Sequence, residues 1–404
     1  MAVVLTARYS ALQSTYWGTV CLIVNFASIY LLAHGLSNAE IGVMMAVASA
    51  VATVVQPILA GVVDRSKVPL RLWLAMGGVA FIVLAAALFP LSGGFLVAVL
   101  YGLLVALTLV LQPIVNSVGM AALALGYRVN FGVARASGSL AFALLSLGVG
   151  ALVAATSEKS LLLMLIVASA LFILAAVTFV LRSPAAPADG GAVPGAGADD
   201  AVGSGSDGVA VAPLTEPAAL TRRAWVLFVL LLIGVTLGIT GHMVINTFLF
   251  QITGFHGGDA AAMGLVLMIA AMSELPTMVA FTRLVARWSP GTLLVVAGIG
   301  FAVKNVVTYL APNLTALYLS QLLQMVAFGL AIPASVYYVN RLFPSTLRVR
   351  GQSYMTMTFS AGNVLGALMG GVVLDAAGVP MLLLVASAVA TAGAVLVWLG
   401  ADRS

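Results

Sequence analysis

Apolar stretches long enough to cross a hydrocarbon core of about 30 Å recur along nearly the whole chain. They predict membrane-spanning helices over residues 9–34, 38–63, 69–90, 93–121, 130–155, 159–182, 223–252, 259–285, 290–311, 313–341, 349–375 and 379–401. The expected fold is therefore an all-α membrane protein of twelve transmembrane helices, and these segments are called spans one to twelve below.

Composition sharpens this picture. Of 404 residues, 62% are apolar and 7% charged, whereas a soluble domain carries about 25% charged residues to cover its surface. A soluble enzyme, a disordered protein and a nucleic-acid binder are all excluded, although the net charge is +5. The basic excess instead follows membrane topology. With the N-terminus inside, the cytoplasmic side receives Arg8, Arg65, Lys67, Arg71, Arg128, Arg182, Arg222, Arg223, Arg283, Arg287, Arg341, Arg348, Arg350 and Arg403, and the outside only Lys159. That asymmetry sets the orientation by the positive-inside rule, with both termini cytoplasmic. Trp73, Trp225, Trp288 and Trp398 fall at cytoplasmic span ends, as an aromatic belt predicts. Residues 1–13 lack the pattern of a cleavable signal. A single cysteine, Cys21, excludes a disulfide framework. The compact layout suits a bacterial inner membrane.

Residues 183–221 break the pattern, being mostly Ala, Gly, Pro, Ser and Asp with no basic or aromatic residue. This segment reads as a flexible cytoplasmic linker between bundles at 1–182 and 222–404, with six spans in each. The bundles look duplicated. Glu40 and Asp259, Pro57 and Pro276, Pro113 and Pro333, and Arg128 and Arg348 pair at offsets of 219 or 220 residues. Such a repeat predicts two pseudo-symmetric halves.

Ionisable groups inside a bilayer cost several kcal/mol and mark function by default. Three stand out: Arg135, Glu274 and Lys304. Glu274 lies 13 residues before Arg287 and Lys304 lies 14 after Pro290, so both sit roughly 20 Å from the turn joining spans eight and nine. A carboxylate there can take a proton when its basic partner moves away and release it on return; the other reading is a static ion pair. Pro276 loosens the helix nearby. Arg135 offers a planar fork of donors to a ligand, or else extends to the headgroups. Trp17, with Tyr16, forms either a stacking wall for a ring-shaped ligand or ordinary packing. Asn25, Gln56, Gln112, Asn116, His242, Asn246, Asn305, Gln321, Gln324 and Asn363 add polar groups at mid-span. They suggest a polar central cavity, or simply bonds between helices; for His242 the structural role is the expected one. No P-loop and no HExxH-type cluster is present. No enzyme, cofactor or metal is expected, and an ion gradient is the simplest energy source.

Twelve spans, a linker after the sixth and a duplicated half resemble the major facilitator superfamily. Within it, Tyr16-Trp17, Gln56-Pro57 and Asp64-Arg65 are similar to the lactose-permease-like, proton-linked symporters. The loop after span two departs from the superfamily signature, with Ala60 where a glycine is usual and the second glycine lost around Lys67, but Asp64, Arg65 and Arg71 remain. The resemblance gives these three the usual gating role. The stretch from Phe131 to Gly138, with Phe142 seven residues after Arg135, resembles the segment where that branch holds its substrate arginine and stacking ring. Glu274 and Lys304 fall where it places a proton-linked glutamate and a basic partner. Span ten holds no Asp, Glu or His, and span four ends without the glutamate that pairs with the arginine in lactose permease. The resemblance therefore does not carry galactoside specificity over, and Glu274 is left as the coupling carboxylate.

The resulting expectation is a monomeric, proton-coupled uptake symporter for a small polar solute, a sugar, oligosaccharide or nucleoside. Arg135, Phe142, Trp17, Tyr16, Asn25, Gln112, Asn246, Asn305 and Gln324 are the expected solute contacts, and Glu274 with Lys304 the proton site. Its partners are solute, protons and lipid, with no nucleic acid. Two other readings stand beside it: an efflux antiporter for drugs or metabolites, and a sensor that keeps a transporter fold without transporting.

Overall fold

A computed structural model describes residues 2–125, 127, 129–180, 222–344 and 347–402. Span one is broken: a helix Ala2–Val20 runs through a π-helical turn, Cys21–Asn25, and bends by 41° into Ala27–Ala33. Asn38–Arg65, Leu70–Leu88, Phe95–Ala124, Phe131–Ala155 and Ser160–Thr178 form spans two to six. Arg222–Thr247, continued by Leu249–Phe255, is span seven; Ala260–Val285 and Pro290–Tyr309 are spans eight and nine. Span ten is broken too, with Leu314–Gln321 and Phe328–Leu342 joined through a 3-10 turn at Leu322–Met325.

The last helical run, Arg348–Gly400, has 53 residues, about 80 Å of helix against a core of about 30 Å. It divides at Gly378, whose φ of 73° and ψ of −176° belong to glycine alone. Pro380 follows two residues later, near the start of the next helix. Among the described residues ten helices are long and apolar enough to cross a membrane, eleven with the bent first pair. The break at Gly378 brings the count to the expected twelve. The expected linker at 183–221, and with it Arg128, Arg182 and Arg403, lies outside the described residues.

Helices begin where side chains can satisfy free backbone N–H groups. Ser37 and Glu40 form a reciprocal capping box at span two, and Asp259 caps span eight. Asn130, Ser289 and Asn313 cap spans five, nine and ten. Pro57 and Pro276 lie within spans two and eight, and Pro113 and Pro333 within spans four and ten. Large apolar side chains such as Ile58, Val83, Leu144, Val167 and Val279 are exposed along the spans, which suits lipid and not water. Trp288 and Trp398 are exposed as a belt requires. Trp225 is not a belt residue: its ring lies edge-on to Phe228, Phe343 and Tyr354 and is packed between spans.

The chain termini share one face. Arg8 Nη1 reaches the Thr178 carbonyl, Asn130 N donates to Thr6 Oγ1, and Asp402 N donates to Tyr338 Oη. At the opposite face the two halves close on each other. Asp375, at the end of span eleven, accepts from Asn38 N (3.2 Å), Asn38 Nδ2 (2.7 Å) and Ala39 N (2.6 Å) at the start of span two. Gln251 Nε2 donates to Asn38 Oδ1, and Ser146 Oγ to the Gly264 carbonyl. Glycines permit this approach: a Cβ on Gly42 would lie 2.3 Å from the Ala367 carbonyl oxygen, and one on Gly264 would lie 2.3 Å from that of Ser146. The halves thus meet through spans two and eleven and spans five and eight, and each of these contacts lies at the face opposite the termini.

Candidate functional site

Between the halves, below that seal, the charged residues of the spans converge. Arg135 is one turn into span five and half-buried. Its guanidinium lies over the Trp17 ring, 4.1 Å from the centroid, and Nη1 donates to Ser139 Oγ at 2.8 Å. A cation over an indole face is held electrostatically as well as by packing. Gly138 makes the arrangement possible, because a Cβ there would lie 2.6 Å from Trp17 Cδ1. Trp17 is half-buried and its Nε1 donates to Gln13 Oε1 at 3.2 Å. Phe142, seven residues after Arg135, is half-buried on the same face of span five.

The second half supplies a hydrogen-bonded chain of three residues from three spans. Lys304 on span nine is 1% exposed and donates Nζ–H to Gln324 Oε1. Gln324 Nε2 donates to Glu274 Oε1 on span eight at 2.9 Å. Gln324 sits in the 3-10 turn of span ten, and that break lets one side chain reach both neighbours. Gly329 brings the same span to 3.6 Å from the Glu274 backbone, measured from a Cβ built at the glycine. The expected Glu274–Lys304 pairing is therefore indirect, relayed by a neutral amide. Glu274 and Arg135 lie on spans eight and five, which pack on each other across the halves, so the carboxylate belongs to one half and the cation to the other.

Several expected contacts are placed elsewhere. Tyr16 is 1% exposed and donates to the Thr108 carbonyl at 2.9 Å, packed between spans one and four and against Phe172. Its ring meets Trp17 edge-on, with centroids 5.6 Å apart, and so backs the indole from the buried side instead of lining the cavity. Asn305 is fully buried; its Nδ2 donates to the Phe301 carbonyl of its own span, and its Oδ1 meets no donor among the described residues. Asn246 donates to His242, 2.8 Å from Nε2, while the imidazole stacks on Phe328 and packs on Phe301. His242 is thus enclosed as a structural histidine. Asn25 ends the π turn of span one and is half-buried, as is Gln112 on span four. Asp64 and Arg65 are exposed at the terminal-face end of span two, and Arg71 is half-buried one loop later. A groove of about 610 Å³ between spans two and four, lined by Val43, Val47, Phe95, Val99 and Leu103, holds none of these residues; the capping residue Glu40 is the one charged group in its lining, and the groove is otherwise apolar.

The composition alone did not single out Gln13 or Tyr9. Gln13 is fully buried between spans one and four, with Nε2 donating to Tyr9 Oη at 2.8 Å and Asn116 Oδ1 at 3.3 Å. The signal available was one glutamine, a turn before Trp17, inside an apolar run. Asp375 was likewise missed, as a lone acid near the end of span eleven.

The model of the MFS_1 like family matches residues 7–384. The chain is 29% identical to a maltose permease of Geobacillus stearothermophilus over 360 residues, covering 84% of this chain and 80% of that protein. Its fold is similar to that of the nucleoside transporter NupG, with a TM-score of 0.74 at 15% identity over 98% of this chain and 97% of the other. A D-xylose-proton symporter superposes with a TM-score of 0.68 at 15% identity over 100% and 99%.

Proposed function

The chain belongs to the MFS_1 like family and is a multi-pass membrane transporter of the major facilitator type; from this we propose that it is a proton-coupled symporter of a small polar solute, working by alternating access. The solute class is a sugar or short oligosaccharide, with nucleosides next, in keeping with the maltose permease and the nucleoside transporter it resembles. One observation carries the reading: Glu274 is hydrogen-bonded to Gln324, which also receives Lys304, on the span that packs against the Arg135 span of the other half. Protonation of Glu274 removes the charge that Arg135 and Lys304 attract, and so changes how strongly the halves hold one another. Arg135 and Trp17 hold the solute from the first half, with Phe142 as the second ring. Ring stacking and a fork of donors together suit a polyhydroxylated solute.

The bias of the basic residues supports cytoplasmic termini by the positive-inside rule. The sealed face is then the outer one, which favours an inward-facing state, with Asp64 and Arg65 exposed at the cytoplasmic end of span two. A rocking motion of the halves at 1–182 and 222–404 would break the Asp375 contacts and close the cytoplasmic side. The test is reconstitution in liposomes holding a pH dye with no imposed gradient. Maltose, xylose or uridine added outside should drive protons inward, and Glu274→Gln should abolish that signal. Solute entry without proton movement would overturn the coupling, and binding without entry would overturn transport of that solute.

A further inference from the structure

Buried amide groups look alike from either end, but one neighbour here decides the matter. The indole Nε1–H of Trp17 can only donate. Gln13 lies within reach of it, at 3.2 Å, so the oxygen of the Gln13 amide must face Trp17. Both Nε2 hydrogens then point the other way, to Tyr9 Oη at 2.8 Å and to Asn116 at 3.3 Å. Asn116 must meet a donor with its own oxygen, which turns its Nδ2 away from Gln13. Gln13 is 0% exposed and all of its polar groups are satisfied, so reversing one amide would bury a clash of two donors or of two acceptors. Asn116 is half-buried, and no acceptor among the described residues meets its Nδ2.

We propose that Gln13 is a positioning residue that sets the polarity of a relay from Trp17 to Asn116, so that the first half of the cavity offers its solute hydrogen-bond donors. The proposal rests on the transport reading for the identity of the solute, but not for the relay itself. Three consequences of the geometry fit together. Arg135 is a donor and never an acceptor. It lies on the ring that Gln13 holds. With the Asn116 amide hydrogens added, this wall presents N–H groups to the cavity, and the carboxylate Glu274 stands in the opposite half as an acceptor. The first half therefore offers donors and the second an acceptor, so solute groups that only accept are directed to the first half and groups that only donate to the second. A donor-only group such as an ammonium facing the Arg135 wall would be rejected, because two donors cannot bond.

The test uses full-length protein in nanodiscs, with ¹⁵N-labelled Trp and Asn side chains and maltose as the probe. Trp17→Phe and Asn116→Asp assign the two signals. In Gln13→Leu the Trp17 indole proton should lose its hydrogen-bonded shift while the other four indoles stay in place. Gln13→Glu, examined at alkaline pH where the carboxylate is ionised, keeps an acceptor for the indole but no longer donates. It should leave the Trp17 signal bonded, turn the Asn116 amide round so that its protons become bonded, and raise the KM for maltose about tenfold with little change in maximal rate. Tyr9→Phe leaves the polarity intact and should preserve KM, which keeps the test open if Gln13→Leu does not fold. An unmoved Trp17 signal in Gln13→Leu, or unchanged Asn116 protons in Gln13→Glu, would overturn the relay. A wild-type protein that neither binds nor moves maltose would refute the solute reading, while the two NMR signals would still decide the role of Gln13.

Discussion

Replacing Asp375 with alanine should open the sealed face. Its carboxylate accepts from two backbone N–H groups and one amide at the start of span two, at 2.6 to 3.2 Å. These contacts join the halves and exist only while they are closed at this face. A hydrogen bond to a charged group contributes about 1.5–3 kcal/mol, and the helix N-terminus adds a few tenths more. Asp375 is exposed, so solvent screening brings the net for the whole cluster to about 1–2 kcal/mol. That corresponds to a change of about 5- to 30-fold in the ratio of closed to open states. The readout is maleimide labelling of a cysteine in place of Ser146, which is fully buried against the Gly264 carbonyl at the seal, in a Cys21→Ser background. Labelling should accelerate about 5- to 30-fold in Asp375→Ala and by less in Asp375→Asn, which keeps an acceptor. Equal labelling rates in well-folded protein would refute the role of Asp375 in holding this face shut.

Tyr16→Phe should lower thermal stability by about 1 kcal/mol, the usual net worth of one buried hydrogen bond, without changing solute KM; a KM change in transport assays would return Tyr16 to the cavity. Arg135→Lys keeps the charge but loses the planar fork stacked on Trp17, so initial-rate kinetics should show KM raised about tenfold or more. Gln324→Leu removes the amide joining Glu274 to Lys304 and leaves a buried ammonium without its hydrogen-bond partner. Thermal unfolding should show it destabilised by about 3 kcal/mol, whereas the double variant Gln324→Leu, Lys304→Met should recover part of that loss.

What the sequence made legible was whatever depends on length and rarity. Runs of some twenty apolar residues can only be spans, so the twelve crossings followed directly, and the break at Gly378 merely hides one division inside a continuous helical run. Arg135, Glu274 and Lys304 were visible because charges are scarce in lipid. What escaped was phase and partnership. Tyr16 and Trp17 are neighbours in sequence, yet one is sealed against span four and the other carries Arg135. Depth arithmetic put Glu274 and Lys304 level but had no means of seeing Gln324 arrive between them from a broken span ten. The bond from Gln13 to Asn116 spans 103 residues of separation, and the Asp375 contact with Asn38 spans 337. Such pairs are created by packing and leave no local pattern.

The central claim is that Glu274 carries the coupled proton, and solute accumulation against exchange tests it most directly. Proteoliposomes with an imposed inward proton gradient should concentrate labelled solute through wild-type protein. Through Glu274→Gln they should only equilibrate it, while exchange of internal for external solute continues, because a neutral amide mimics the protonated carboxyl and still permits the loaded protein to turn. Uphill accumulation by Glu274→Gln at the wild-type level would contradict the account.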